Sequence, residues 1–210
     1  LKPEEMTAPN QAVMLISGGG WKPELEEPVE GDPQLPSEAT IMAQAAKASG
    51  SPIALLSHVP MQPIFDGKVE DEIIAYTFAQ AMKTGDYEWP LLLPMVKSAV
   101  RAMDAVQEFA KDEWDLQIDN FTVTGASKRG WTTWLTGAVD PRANAIAPIV
   151  IDVLNMDVQM AHQLETWGEY SEQVQDYTER GIQSKAKTEA GKMVNKIVDP
   201  EGDSLLEFKT

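Results

Sequence analysis

Short continuous hydrophobic runs alternate with segments of helical spacing along the first 150 residues. The runs are bounded by glycine, proline or polar residues and have the length of strands that are buried on both faces of a sheet. They cover residues 12–16, 52–59, 117–124 and 145–152. Segments with helical spacing lie between them, at 38–49, 70–82, from 89 onward and from 127 to 135. This alternation predicts an α/β fold with a mostly parallel sheet flanked by helices.

The pattern changes after the fourth hydrophobic run. Residues 156–197 show helical periodicity alone, and no further strand pattern follows. We interpret residues 1–154 as the core of the fold and residues 155–200 as a helical cap or insertion. Residues 201–210 are predicted to form an irregular tail.

Particular positions inside these segments make sharper predictions. Pro148 stands within the fourth run, and because proline cannot donate to a strand ladder, it predicts a sheet edge or a bulge. The inward face predicted for the 38–49 helix consists of Ile41, Met42, Ala45 and Ala46. The inward stripe predicted for the long helix that follows residue 89 consists of Val96, Ala99, Val100, Met103, Val106 and Ala110.

Charge and composition narrow the classes of partner. The chain has 33 acidic and 17 basic residues, a formal net charge of −16, and no cysteine. Such a charge repels phosphate backbones and anionic lipid surfaces, which disfavours nucleic acid and membranes as partners. The same charge also fits a solvated surface with no partner, which is the favoured interpretation. A small-molecule or peptide substrate is left open. The absence of cysteine excludes disulfides and a cysteine nucleophile, and no apolar stretch has the roughly 20 residues of a membrane span.

No sequence motif for a cofactor or a metal is present. The chain has no Walker loop, no Gly-x-Gly-x-x-Gly and no His-Glu-x-x-His. Asp66, Glu70 and Asp71 form an acidic cluster after the second run, but their spacing is not that of metal ligands. We therefore predict no cofactor and no metal, and a solvated helix start at these acidic residues.

The strongest chemical signal lies where the third run meets a helix. Gly125 and Ala126 precede Ser127, and Gly130 follows it, which gives the spacing Gly-x-Ser-x-x-Gly. Small residues at a sharp strand-to-helix turn are typical of a nucleophile elbow, although its usual spacing, Gly-x-Ser-x-Gly, is one residue shorter. The backbone N–H of Lys128 would then donate to an oxyanion. A purely structural turn with small residues is the alternative.

A second oxyanion donor normally follows an earlier strand. The glycines at 18–20 end the first hydrophobic run, and we predict that the N–H of Gly19 or Gly20 is this donor. Because glycine has no side chain, its amide can face an anion without obstruction. The alternative is a plain loop across the sheet edge.

A catalytic base is harder to assign. His58 and His162 are the only histidines; His58 precedes Ser127 and His162 lies in the helical region, so we interpret both as structural or surface residues. Asp152, at the end of the fourth run, is a candidate acid member of a triad, or else a solvated strand end. The side chains of Lys128 and Arg129 are predicted to lie on the surface, where either could hold an anionic substrate.

Several long segments together resemble one known family. They are LISGGG at 15–20, WPLLLPMVKS at 89–98, TVTGASKRGWTTWL at 122–135, AIAPIVIDVLN at 145–155 and the helical stretch 170–182. In these segments the chain resembles the PhoPQ-activated pathogenicity-related proteins, a bacterial group placed in the α/β-hydrolase superfamily. Ser127 carries over as the nucleophile.

The resemblance has further implications. It implies a longer protein in which an Asp and then a His follow on additional strands, so that this chain would be truncated at its C-terminus with an incomplete sheet. It also implies export to the periplasm or the extracellular space. Two functions are consistent with it: a serine hydrolase, either an esterase or a peptidase-type acyl hydrolase, that is inactive as this fragment, or a non-catalytic secreted binding or signalling protein. The open sheet edge also raises the possibility that the fragment is unstable alone.

Overall fold

A computed structural model describes residues 1–20 and 37–200 of the chain. The tail predicted at 201–210 lies outside these residues. Within the described part, the sheet has four strands, β1 Gln11–Ile16, β2 Ile53–Leu56, β3 Asn120–Ala126 and β4 Ala145–Ile149. All neighbouring strands are parallel, in the order β2-β1-β3-β4. The predicted α/β class is confirmed.

Helices connect and flank these strands. The helices of the first part are α1 Ser37–Ser49, α2 Glu70–Thr84, α3 Leu92–Trp114 and α4 Lys128–Val139. After β4 come α5 Met156–Trp167, a single 3-10 turn at Glu172–Val174, α6 Gln175–Glu179, α7 Ile182–Lys185 and α8 Glu189–Val198. No helix among the described residues is long and apolar enough to cross a membrane.

The long helix α3 follows its predicted stripe closely. Val96, Ala99, Met103 and Ala110 are buried, and Val100 and Val106 pack against the core while partly exposed. The burial of such a stripe supplies most of the stability of a helix of this kind, because intrinsic propensity alone is marginal in water.

The inward face predicted for α1 is partly wrong. Ala46 is buried as predicted, but Ile41 is 62% exposed and Ala39 is buried instead. Ala39 and Ala46 are seven residues apart and therefore lie on one face of the helix, and α1 contacts β2. Small alanines permit a close approach to that strand, and the bulkier Ile41 points away from it.

The strand ends differ from prediction for local reasons. The second strand was expected to continue to residue 59, but β2 ends at Leu56 and the backbone turns at His58, whose φ is 62°. Likewise β4 ends at Ile149 because Val150 has a φ of 48°. β3 is shifted toward the C-terminus and runs to Ala126, directly before Ser127.

Pro148 lies on an edge strand, as predicted. It pairs in register with Gly125 of β3, and β4 is the last strand of the sheet within the described part. Beyond Pro148, the side chains of Ile149 and Val150 are 47% and 81% exposed. This edge of the sheet therefore presents apolar side chains to solvent.

Three of the helices after β4 pack against α2. The contacts come from α6, α7 and α8. Ile182, Val194 and Val198 are buried in the same apolar cluster as Phe121 and Val123 of β3. The division into a core at 1–154 and a cap at 155–200 stays a prediction.

Candidate active site

Ser127 stands at the junction of β3 and α4 in a backbone conformation that side chains rarely adopt. Its φ is 56° and its ψ is −127°. A non-glycine residue held in such a region costs on the order of 1–3 kcal/mol and persists only where the surroundings enforce it. Here the N–H of Ser127 donates to the carbonyl of Ile149 at 2.9 Å, and its carbonyl accepts from the N–H of Trp131 at 3.0 Å.

The glycines around Ser127 are required by close packing. A Cβ added to Gly125 would lie 2.7 Å from the carbonyl oxygen of Arg129. One added to Gly130 would lie 2.5 Å from Cγ2 of Ile151. Neither contact leaves room for a methyl group, so the Gly-x-Ser-x-x-Gly spacing is explained by a turn that packs tightly on the first residues of α4 and on Ile151, after β4.

A cavity of about 440 Å³ opens beside Ser127. Ser127, Lys128 and Trp131 line it on the α4 side, and residues 150–153 line it after β4. Helices α5 to α8 supply the opposite wall. Its size is within the range of small-molecule sites, which are usually apolar with a few polar groups. Its apolar lining includes Phe78, Val150, Ile151, Val153, Met156, Met160, Leu164, Val174, Ile182 and Val198.

The glycine loop packs beside the elbow but does not line this cavity. The carbonyl of Gly18 accepts from the N–H of His58 at 3.0 Å. A Cβ on Gly18 would lie 2.7 Å from Nη2 of Arg129, two residues after Ser127. Gly19 has a φ of 136°. The structure thus brings the loop and the elbow together, while the donor role of Gly19 or Gly20 stays a prediction.

The N–H of Lys128 is the first amide of α4. The first four amides of a helix have no intrahelical acceptor, and they carry the positive end of the helix dipole. The amide that sequence reasoning assigned to the oxyanion therefore belongs to a residue that lines the same cavity as Ser127.

Neither histidine lines the cavity. His162 is exposed on α5. His58 is half-buried, and its Nδ1 is buried without a hydrogen-bond partner among the described residues. A Cβ on Gly19 would lie 2.5 Å from this Nδ1, so the imidazole packs on the glycine loop.

Asp152 does line the cavity together with Ser127. Its side chain is exposed and accepts a hydrogen bond from Nε2 of Gln159 at 2.8 Å. Its proposed role as a triad acid is not tested by this geometry, because no histidine of the described part contacts it. Groups of acidic and histidine residues that could hold a metal ion are absent from the described residues.

The prediction that Lys128 and Arg129 lie on the surface is wrong. Their side chains are only 5% and 10% exposed. Both donate to the carboxylate of Glu70, Arg129 through Nη1 at 2.7 Å and Nη2 at 3.0 Å. Nε of Arg129 donates to the carbonyl of Val59 at 2.7 Å. The two cations are buried because the carboxylate and the carbonyl compensate for their lost hydration.

The prediction that Glu70 belongs to a solvated helix start is therefore wrong, because Glu70 pairs with two buried cations. Hydrogen bonds from Arg129, and then from Lys128 and Gln62, hold the pKa of Glu70 far below its usual range. The backbone of Glu70 is also unusual, with a φ of 52°. Asp66 is exposed, as predicted for the acidic cluster, but Glu70 anchors the residues that follow the nucleophile.

The neighbouring carboxylate extends this ion cluster to the later helices. Nζ of Lys128 lies 3.1 Å from Asp71, and the hydroxyl of Tyr177 donates to Asp71 at 3.2 Å. Burial and the adjacent Asp71 raise the pKa of the Tyr177 hydroxyl well above its usual range. We call Glu70, Asp71, Lys128 and Arg129 the elbow ion cluster. No sequence pattern indicated it, because Glu70 is 58 residues from Lys128 and 59 from Arg129.

A family profile decides the relationship of the chain. The profile of the PhoPQ-activated pathogenicity-related proteins matches residues 1–202. The chain belongs to this family. The resemblance inferred from the segments around Ser127 is therefore confirmed at the level of the family.

The chain is also similar to a protein of Dictyostelium discoideum. The chain is 45% identical over 159 residues to autocrine proliferation repressor protein A of Dictyostelium discoideum. The match covers 73% of this chain and 32% of the relative, so the chain spans about a third of the relative's length. Dictyostelium discoideum is not a bacterium, so this relative does not fit the expectation of a bacterial group. No solved structure matches the chain.

Proposed function

We propose that the chain carries the nucleophile and the oxyanion site of a serine acyl hydrolase of the α/β-hydrolase type. The observation that supports this most directly is the strained backbone of Ser127, with φ 56° and ψ −127°, beside a cavity of about 440 Å³. A nucleophile elbow uses such a turn to present its hydroxyl at the edge of the sheet. A structural turn does not require strain at a serine that lines this cavity.

The chemistry that we propose is acyl transfer from an ester or an amide. Oγ of Ser127 attacks the acyl carbon, its proton passes to a base, and the carbonyl electrons move onto oxygen. The N–H of Lys128 donates to this oxyanion, and the N–H of Gly19 or Gly20 is the proposed second donor. The alcohol or amine then leaves with a proton, and water releases the acyl group from Ser127.

No histidine is among the described residues that line the cavity. The family resemblance implies a histidine, oriented by an acid, further along the chain of longer members. Asp152 is our alternative for the acid, because it lines the cavity with Ser127. We therefore expect slow turnover, or none, from these 210 residues by themselves, since the oxyanion site alone gives only residual catalysis.

The test uses a fluorophosphonate probe, which reacts with activated serines. It compares this chain with a chimera in which the chain replaces the matching segment of the Dictyostelium relative. We expect the chimera to be labelled, and labelling to disappear with Ser127→Ala. A folded chimera that is not labelled, or is labelled equally with Ser127→Ala, contradicts the proposal.

A non-catalytic secreted signalling protein is the second candidate. The name of the relative, an autocrine proliferation repressor, supports it, as does the lack of a histidine on the described cavity wall. Fold alone does not decide between a hydrolase and a binding protein. Export to the periplasm or the extracellular space, which the family resemblance implies, stays a prediction.

Growth assays separate the second candidate from the first. The chimera and its Ser127→Ala variant are added to cultures of Dictyostelium discoideum, and cell doubling is measured. Equal repression by both would support signalling without acyl transfer. Repression lost with Ser127→Ala would favour the hydrolase.

A further inference from the structure

The cavity beside Ser127 offers mainly hydrocarbon contacts. Its aromatic and methionine side chains suit an apolar chain, because both types adapt to ligand shape. Nε1 of Trp131 already donates to the carbonyl of Val198 at 2.6 Å, and the hydroxyl of Tyr177 already donates to Asp71. These two polar aromatics therefore present ring surface to a ligand, not hydrogen-bond donors.

The cation that lines the cavity next to Ser127 is already neutralised. Nζ of Lys128 bonds to Glu70 and lies 3.1 Å from Asp71, and its side chain is 5% exposed. Two carboxylates therefore already balance the charge of Lys128, so an anionic ligand meets no net positive charge there. Lys187, which also lines the cavity, is exposed, where solvent weakens its attraction for an anion.

The remaining carboxylates make the lining negative. Asp152 and Asp157 are exposed, and they accept from the side-chain amides of Gln159 and Asn195, each at 2.8 Å. No ion pair in the described part of the chain involves either aspartate. Solvent weakens these exposed charges as it weakens that of Lys187, but two unpaired carboxylates outweigh one ammonium group, and the chain's net charge of −16 adds to this field.

We propose that the cavity selects an apolar acyl chain on an uncharged or cationic head group, and that it discriminates against ligands bearing carboxylate, phosphate or sulfate. This inference rests on the proposed function for its site, because it names the substrate class of the same cavity. Neutral and cationic esters of medium-chain acids are the corresponding substrates.

The test measures binding without chemistry, using the Ser127→Ala variant of the chain. Calorimetry compares octyltrimethylammonium, octanol and octanoate, which share a hydrocarbon chain and differ in charge. At 0.01 M salt we expect octyltrimethylammonium to bind about tenfold more tightly than octanoate, with octanol between them. Salt at 0.15 M should narrow this range, because the screening length falls from about 30 Å to about 8 Å.

A double variant tests whether the lining aspartates are responsible. Asp152→Asn with Asp157→Asn should bring octanoate within a few-fold of octyltrimethylammonium and leave octanol unchanged. Asp112→Asn with Glu113→Gln is the matched control, because it removes the same charge from an exposed part of α3 that does not line the cavity. This control should keep the original preference.

The possible outcomes are distinct from those of the hydrolase test. Octanoate binding as tight as octyltrimethylammonium overturns the inference, as does the absence of binding of all three probes by folded protein. An equal response of the aspartate and control variants overturns the assignment to Asp152 and Asp157. The proposed function fails separately, if the chimera is not labelled at Ser127.

Discussion

Two helices of equal length face the same cavity and differ in how firmly they are held. α4 and α5 each have 12 residues, but eight residues of α4 are buried and none of α5. The elbow ion cluster and the glycines at 125 and 130 fix the start of α4. On α5, Val158 and Trp167 are 59% and 78% exposed. The start of α4, next to Ser127, is therefore firmly held. On the opposite wall, α6, α7 and α8 pack against α2, but α5 buries no residue and has few contacts to hold its position.

This difference has a physical meaning for function. A nucleophile must be held in a defined geometry, which requires locked neighbours. A wall that receives substrates can be less constrained, and the low-stability parts of proteins often serve binding. The following variants test the contrast, each with a partner on the second wall.

The largest effect is expected from Glu70→Ala. It leaves the buried cations of Lys128 and Arg129 without their shared carboxylate. We expect a loss of about 3 kcal/mol in the free energy of unfolding. The loss is smaller than for a fully buried ion pair because Glu70 is partly exposed. Urea unfolding measures it. The matched variant is Glu189→Ala, which breaks an exposed pair with Lys192 on α8 and should change little. Equal losses would show that the elbow ion cluster is not an anchor.

Gly125→Ala is expected to follow. The new methyl group would lie 2.7 Å from a backbone oxygen that cannot move independently of α4, which predicts a loss of about 2 kcal/mol. Gly168→Ala at the end of α5 meets no atom within 4 Å. It adds only the cost of its φ of 77°, about 1 kcal/mol. Thermal unfolding of both variants measures the difference, and a smaller loss for Gly125→Ala would contradict the tight packing of the elbow.

Ser127→Gly should stabilise the chain. Glycine accepts the positive φ without strain, and after its own entropic cost a gain of about 1 kcal/mol remains. Asn155→Gly, at the start of α5, should gain less, because asparagine tolerates its φ of 52° and ψ of 56°. Urea unfolding measures both variants. An unchanged or lower stability of Ser127→Gly would mean that the turn stores no strain and would weaken the nucleophile assignment.

The sequence predicted those parts of the molecule that local chemistry determines. Alternating hydrophobic runs and helical segments gave the parallel sheet, and proline chemistry placed Pro148 on an edge. Small residues around Ser127 predicted a sharp turn because they are close to it in the chain. These inferences need only spacing along the chain.

Other features depend on contacts between distant residues and could not be predicted. Charged residues such as Lys128 and Arg129 usually lie in solvent at the start of a helix. They are buried here because they pair with Glu70 of α2. The side chain of Ile41 is of a type that is usually buried, but the rotation of α1 against β2 leaves it exposed. Charge pairing and helix rotation are tertiary properties, so the spacing of a single segment does not encode them.

The smallest change in the free energy of unfolding is expected from lowering the pH. Because the folded-state pKa of Glu70 is lowered, its contribution to stability is fully present above the unfolded value of about 4.5 and is lost progressively as the pH falls below it. The stabilities of the chain and of Glu70→Ala should therefore differ at pH 7 and begin to converge between pH 4.5 and 3. Unfolding in urea at pH 7, 5, 4 and 3 measures this, and a constant difference would mean that the carboxylate of Glu70 does not bind these cations in solution. Convergence would show that the elbow ion cluster holds the nucleophile wall by charge, since protonation of one carboxylate removes the pairing without altering the packing.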